Sequence, residues 1–159
     1  MAATYAEETK HLFLRLMEAI VESLGIVEAN KEEKDNIIKE LEDGSQLMAA
    51  NFYPPCPQPD LTLGMPPHSD YGFLTLLLQD EVEGLQVQFQ EQWFTVQPIN
   101  NAFVVNVGDH LEVYIPLVAS LMEQFKKVFM YIYFLNYMSL YSFILLINYH
   151  VSNNQISYN

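Results

Sequence analysis

The feature that most limits the folds open to this chain is a series of short β-type segments between residues 46 and 107, cut by turn residues. Gln46–Tyr53 reads as a strand, and Pro54, Pro55, Pro57 and Pro59 stop it, since proline has no N–H to give a sheet ladder. Phe73–Gln79 is apolar and β-rich. Leu85–Phe89 alternates, with Leu85, Val87 and Phe89 on one face and Gln86 and Gln88 on the other. Trp93–Gln97 and Ala102–Val107 follow, and Asp80–Gly84, Gln90–Gln92 and Pro98–Asn101 supply the turns. This spacing predicts an antiparallel sandwich or barrel. No helical segment alternates with these strands, which disfavours a doubly wound sheet.

Helices are expected ahead of the strands. Thr4 and Glu7 have the spacing of a capping box. Behind them Leu12, Leu16, Ile20 and Leu24 recur at helical intervals, with Phe13, Met17 and Val21 alongside. Gly25 suits a helix stop, and Asn30 with Glu33 repeats the cap before a more polar helix ending near Gly44.

Charge and composition change sharply near Glu112–Tyr114. The whole chain carries a net charge of −13, with 7 Lys+Arg against 20 Asp+Glu, which disfavours a phosphate backbone as partner. Only Glu123, Lys126 and Lys127 carry formal charge after residue 113, all six glycines precede residue 109, and 11 of the aromatic residues fall in the last 46 positions. Three segments are therefore expected: 1–45 helical, 46–113 β, and 114–159 an apolar tail, helical or disordered. The single cysteine, Cys56, excludes a disulfide framework and fits a reducing, cytoplasmic setting. The N-terminus has no basic stretch followed by an apolar run, so no secretory signal is expected.

The residues that point to chemistry are His68-Ser69-Asp70. Positions i and i+2 of an extended segment share a face, so an imidazole and a carboxylate can converge on one cation. The same tripeptide also suits a loop histidine hydrogen-bonded to a neighbouring aspartate. Two such ligands make up two-thirds of the 2-His-1-carboxylate set that holds non-haem Fe(II).

Other motifs accompany this one in order: Asn51-Phe52-Tyr53-Pro54-Pro55-Cys56-Pro57, Gly64-Met65-Pro66-Pro67, Leu74-Thr75-Leu76-Leu77-Leu78-Gln79-Asp80, Gly84-Leu85-Gln86-Val87, Trp93 and Asn106-Val107-Gly108-Asp109. From about Thr4 to Glu112 the chain resembles the plant-type 2-oxoglutarate- and Fe(II)-dependent dioxygenases, the oxygenases of flavonoids, gibberellins and other specialised metabolites. The resemblance implies a partial double-stranded β-helix (jelly-roll) core with outer helices, and small-molecule substrates oxidised as 2-oxoglutarate is decarboxylated to succinate. It implies His68 and Asp70 as iron ligands, Asn51 and Tyr53 as the polar pair holding 2-oxoglutarate, and Phe73 near the substrate. His110 matches a non-ligand position, and Cys56 in the proline loop is structural.

Two parts implied by the resemblance have no counterpart. The third ligand would be a histidine about fifty-five residues after His68, near Glu123–Gln124, where none occurs. His110 comes too early and His150 too late. An R-x-S pair would follow by about ten residues, its guanidinium gripping the distal carboxylate of 2-oxoglutarate. The only arginine is Arg15. The chain therefore reads as a C-terminally truncated, inactive dioxygenase lacking the strands that complete both sheets, which would leave unpaired edges. A non-catalytic binding fragment and a non-functional product are the alternatives. The tail has three readings: translated intron, since Val113-Tyr114 can be encoded by GTATAT; a membrane anchor through Val128–Val151; or a helix packed in place of the lost strands.

Overall fold

The computed structural model describes residues 2–23, 31–114, 133–135 and 142–150. The chain forms two compact units, Met1–Leu47 with Tyr149–Asn159, and Met48–Asn148.

The first unit is built on two helices, α1 (Ala2–Ser23) and α2 (Lys31–Glu42). Helix α1 begins two residues before Thr4, so the expected capping box lies inside the helix. The helix is buried along Thr9, Phe13, Met17 and Val21, while Leu12, Leu16 and Ile20 are half-buried. The buried stripe is thus turned by one residue from the leucine row. Both rows have the i, i+4 spacing of a helix face, so periodicity alone does not choose between them. Each fully buried apolar side chain here contributes about 1.5–3 kcal/mol. Lys10 Nζ donates to the Glu42 carbonyl at 2.6 Å, and Gln46 Nε2 donates to Thr9 Oγ1 at 2.9 Å. Thr9 Oγ1 in turn donates to the Tyr5 carbonyl at 2.8 Å. Gly25 and Asn30, the expected stop and second cap, lie outside the described residues.

Among the described residues eight strands follow: β1 (Ser45–Tyr53), β2 (Leu63–Met65), β3 (Leu74–Gln79), β4 (Leu85–Phe89), β5 (Gln92–Thr95), β6 (Phe103–Val107), β7 (Tyr133–Leu135) and β8 (Ser142–His150). They make two four-stranded sheets, ordered β1-β8-β3-β6 and β2-β7-β4-β5. Strands next in sequence mostly lie in opposite sheets, which is the wrapping of a jelly-roll. Strand β3 pairs antiparallel with β6, Leu77 opposite Val104 and Thr75 opposite Asn106.

Alternation assigns the faces. Leu77 and Leu85, both fully buried, form the centre of the sandwich, with Ala49, Tyr53, Met65, Val96 and Val104 packed on them. Residues two apart share a face, so Asn51, between Ala49 and Tyr53, and Asn106, two beyond Val104, are also inward positions. Polar residues on an inner face are the first sign that this end of the sandwich is not simply core.

The two described tail segments are strands, not helix. Strand β8 pairs with β3, Leu146 opposite Leu77, and β7 pairs with both β2 and β4. The unpaired edges expected at these places are therefore filled. Sheet pairing uses main-chain groups and tolerates many sequences, and Phe143-Ile144-Leu145-Leu146-Ile147 has strong β preference. An apolar run this short reads equally as helix or strand. Half of Val128–Val151 lies outside the described residues, and among those described no helix is long and apolar enough to cross a membrane.

Two elements have no counterpart in the sequence reading. Strand β2 has only three residues, too few for a period. Helix α3 (Asp109–Tyr114) continues directly from the turn after β6, where Asp109 provides an acidic residue in its first turn.

Candidate metal centre

His68 and Asp70 lie in the loop between β2 and β3, and the structure brings them together: His68 Nε2 is 3.6 Å from Asp70 Oδ1. His68 Nδ1 is 2.9 Å from the Pro66 carbonyl oxygen. A carbonyl can only accept, so Nδ1 carries a ring proton, and in the neutral ring this leaves the lone pair at Nε2. In that form two acceptors face each other with no proton between them. That arrangement is repulsive alone and attractive around a cation. A ring nitrogen fixed by a backbone carbonyl is also the usual support of a metal-bound histidine. His68 is half-buried and open to solvent on one side, whereas Asp70 is only 7% exposed.

The carboxylate is held from below. Asn106 Nδ2 donates to Asp70 Oδ2 at 2.8 Å, and the Asp109 N–H donates to the Asp70 carbonyl at 2.8 Å. Ser69 Oγ donates to Asp109 Oδ2 at 2.8 Å. The Gly108 N–H donates to the Phe73 carbonyl at 2.9 Å, and the His110 N–H reaches the carbonyls of Tyr71 and Gly72 at 3.3 Å. Residues 106–110 thus clasp residues 69–73. The clasp needs glycine at 108, where a Cβ would lie 2.0 Å from the Gly72 carbonyl oxygen.

The other expected site residues are placed as follows. Asn51 and Tyr53 stand near the end of β1. Asn51 Nδ2 is buried and has no hydrogen-bond partner among the described residues, an orphan donor that a bound acceptor would satisfy. Burial raises the Tyr53 hydroxyl above its ordinary pKa of 10.0 and keeps it a neutral donor. Both therefore suit an organic anion such as 2-oxoglutarate. Phe73 is 1% exposed and packs edge-on against His110, ring centres 5.5 Å apart. His110 lies also against Tyr71 at 4.8 Å, a packing role that agrees with its reading as a non-ligand. Cys56 is a half-buried free thiol.

Among the described residues no group of three or more His, Cys, Asp or Glu is arranged to hold a metal ion. The donors present fit a cation through one nitrogen and one carboxylate oxygen. A cavity of about 280 Å³, lined by Gln79, Asp80, Glu81, Glu83, Gln97, Pro98 and Asn100, lies at the far end of β3 and includes none of these donors. Sequence reasoning missed Asn106 as a partner of Asp70. The alternation of β6 could have found it, since it places a polar residue on an inner face.

A jelly-roll sandwich carrying a histidine and an aspartate on the loop into its third strand defines a class of non-haem metal oxygenase folds. The family model of the 2OG-Fe(II) oxygenase superfamily matches residues 44–123, just over half of the chain and ten residues beyond position 113. The chain belongs to this superfamily, whose cofactors are Fe(II) and 2-oxoglutarate. It is 49% identical over 113 residues to the Arabidopsis thaliana protein DMR6-LIKE OXYGENASE 1, covering 71% of this chain and 31% of that one. It is 45% identical to naringenin,2-oxoglutarate 3-dioxygenase of Matthiola incana, covering 67% of this chain and 29% of the relative. The crystal structure of JOX2 in complex with 2OG, Fe and JA superposes with a TM-score of 0.77 at 31% identity, covering 95% of this chain and 41% of that one. The chain thus spans about a third of the length of the curated relatives it matches.

Proposed function

We propose that this chain is the cation-binding part of a 2-oxoglutarate- and Fe(II)-dependent dioxygenase acting on small specialised metabolites, and that by itself it binds metal without turning over. The observation that carries the reading is His68 Nε2 set 3.6 Å from Asp70 Oδ1, with Nδ1 against the Pro66 carbonyl. The names of the relatives, a flavanone-type dioxygenase among them, support the substrate class.

Iron with 2-oxoglutarate supplies oxidation by O₂ coupled to decarboxylation to succinate. This chain's residues would contribute binding and orientation. His68 and Asp70 hold the cation, with the imidazole tautomer fixed and the carboxylate pinned from beneath. Asn51 Nδ2 and the Tyr53 hydroxyl donate to an oxygen of the organic acid. Phe73, enclosed in the core, supports the pocket wall from behind. Loss of activity follows from two chemical counts. The histidines are His11, His68, His110 and His150, none near the expected third-ligand position. The only guanidinium, Arg15, is on exposed helix surface in the other unit. An ammonium such as that of Lys126 offers charge without the two-pronged geometry.

The test is metal binding set beside turnover. The purified chain is expected to bind Mn(II) in a manner abolished by His68→Ala, and to release no succinate from 2-oxoglutarate above that variant in Fe(II) and air. Iron-dependent succinate formation above the His68→Ala background would overturn the inactive reading. Equal Mn(II) binding by both proteins would overturn the metal site. Residues 114–159 as translated intron remain part of the proposal, and genomic DNA with no donor site at codon 113 would remove them from it.

A further inference from the structure

We infer that Asn106 is a positioning residue for the cation-binding carboxylate, setting which oxygen of Asp70 faces His68; the inference rests on the reading that His68 and Asp70 hold a divalent cation. Asn106 Nδ2 donates to Asp70 Oδ2 at 2.8 Å across 36 residues of chain, and both side chains are more than nine-tenths buried. A buried carboxylate with one oxygen engaged cannot swing about its terminal bond without breaking that hydrogen bond. Oδ1 is therefore left toward His68 Nε2. The amide has only one workable orientation, since the reverse would press its oxygen on a carboxylate oxygen at hydrogen-bond distance.

The other end of the amide shows that Asn106 is not explained by the fold alone. Asn106 Oδ1 is buried with no hydrogen-bond partner among the described residues. Its neighbour on the same face, Val104, packs on the sandwich core, where an aliphatic side chain of similar volume would leave no orphan acceptor. An asparagine here satisfies Asp70 at its own expense. That trade suits a carboxylate that must stay oriented for a ligand. A donor behind a ligating carboxylate is also where substitution costs metal affinity.

The experiment compares Mn(II) affinity, measured by electron paramagnetic resonance of free Mn(II), and the Co(II) ligand-field spectrum across the full chain, His68→Ala and Asn106→Leu. Asn106→Leu keeps the volume and removes both the donor and the orphan oxygen. The expected result is a loss of about 10–100-fold in Mn(II) affinity and shifted Co(II) bands, with a lower metal-free thermal midpoint because Asp70 Oδ2 loses its donor. Wild-type Mn(II) affinity and an unshifted Co(II) spectrum in Asn106→Leu would overturn the inference and leave the metal reading standing. If the wild-type chain binds Mn(II) no better than His68→Ala, both fall. Should Asn106→Leu fail to fold, Asn106→Thr, which suits a strand and also lacks the amide, decides by the same two measurements.

Discussion

At the residue scale the site depends on which protons are where. His68 gives its proton to a backbone carbonyl, Asp70 receives one from an amide, and Tyr53 keeps its own because burial disfavours phenolate. The tyrosine gives a pH signature. Its folded pKa lies above the unfolded 10.0, so the protonated form is preferred in the folded state. The stability this contributes is complete below pH 10.0 and is lost as pH rises through the folded value. In a titration followed at 295 nm, Tyr53 is expected to ionise late, together with Tyr5, whose pKa burial also raises. Tyr53→Phe should remove part of that late absorbance and flatten the alkaline fall in stability. An unchanged late phase would show that the hydroxyl is not held neutral by its surroundings.

At the scale of elements, the β4–β5 hairpin carries backbone strain in its turn. Phe89 pairs with Gln92, so the loop is only Gln90–Glu91, and both have positive φ, 50° and 65°. A two-residue hairpin requires that conformation, which asparagine and glycine tolerate far better than glutamine and glutamate. The double substitution Gln90→Asn, Glu91→Gly is expected to stabilise the chain by about 1 kcal/mol, read from urea denaturation, and a destabilised variant would contradict the turn assignment. Much of this level was legible in the sequence. Strand β4 has the bounds that its alternation predicts, and β1, β3 and β6 each differ by one residue at one end. Strand β5 ends two residues early, at Thr95, although the Val96 N–H still reaches the Leu85 carbonyl at 2.9 Å. The failures have physical causes. Local capping chemistry at Thr4 did not decide where α1 begins, and the apolar tail segment carried no period to separate strand from helix. Of the candidate site, His68 and Asp70 are brought together by the i, i+2 geometry of the loop. Asn106 joins them across 36 positions; the alternation of β6 shows that it faces inward but not that Asp70 is its partner.

At the scale of the whole molecule, the net charge of −13 acts against compaction. Raising ionic strength from 0.01 to 0.15 M shortens the screening length from about 30 to about 8 Å. The thermal midpoint is therefore expected to rise with salt, by about 2–4 °C for each kcal/mol of repulsion relieved, as scanning calorimetry would show. A midpoint that falls over this range would mean that attractive pairs outweigh the repulsion. The clasp of residues 69–73 by residues 106–110 has a consequence for synthesis. A nascent chain that has emerged from the ribosome only as far as β5 already exposes both ligands on a loop that nothing restrains. The clasp that orders these ligands can form only after roughly fifteen more residues have been added, so a cell that must load the correct ion benefits from withholding it until translation has passed Asp109.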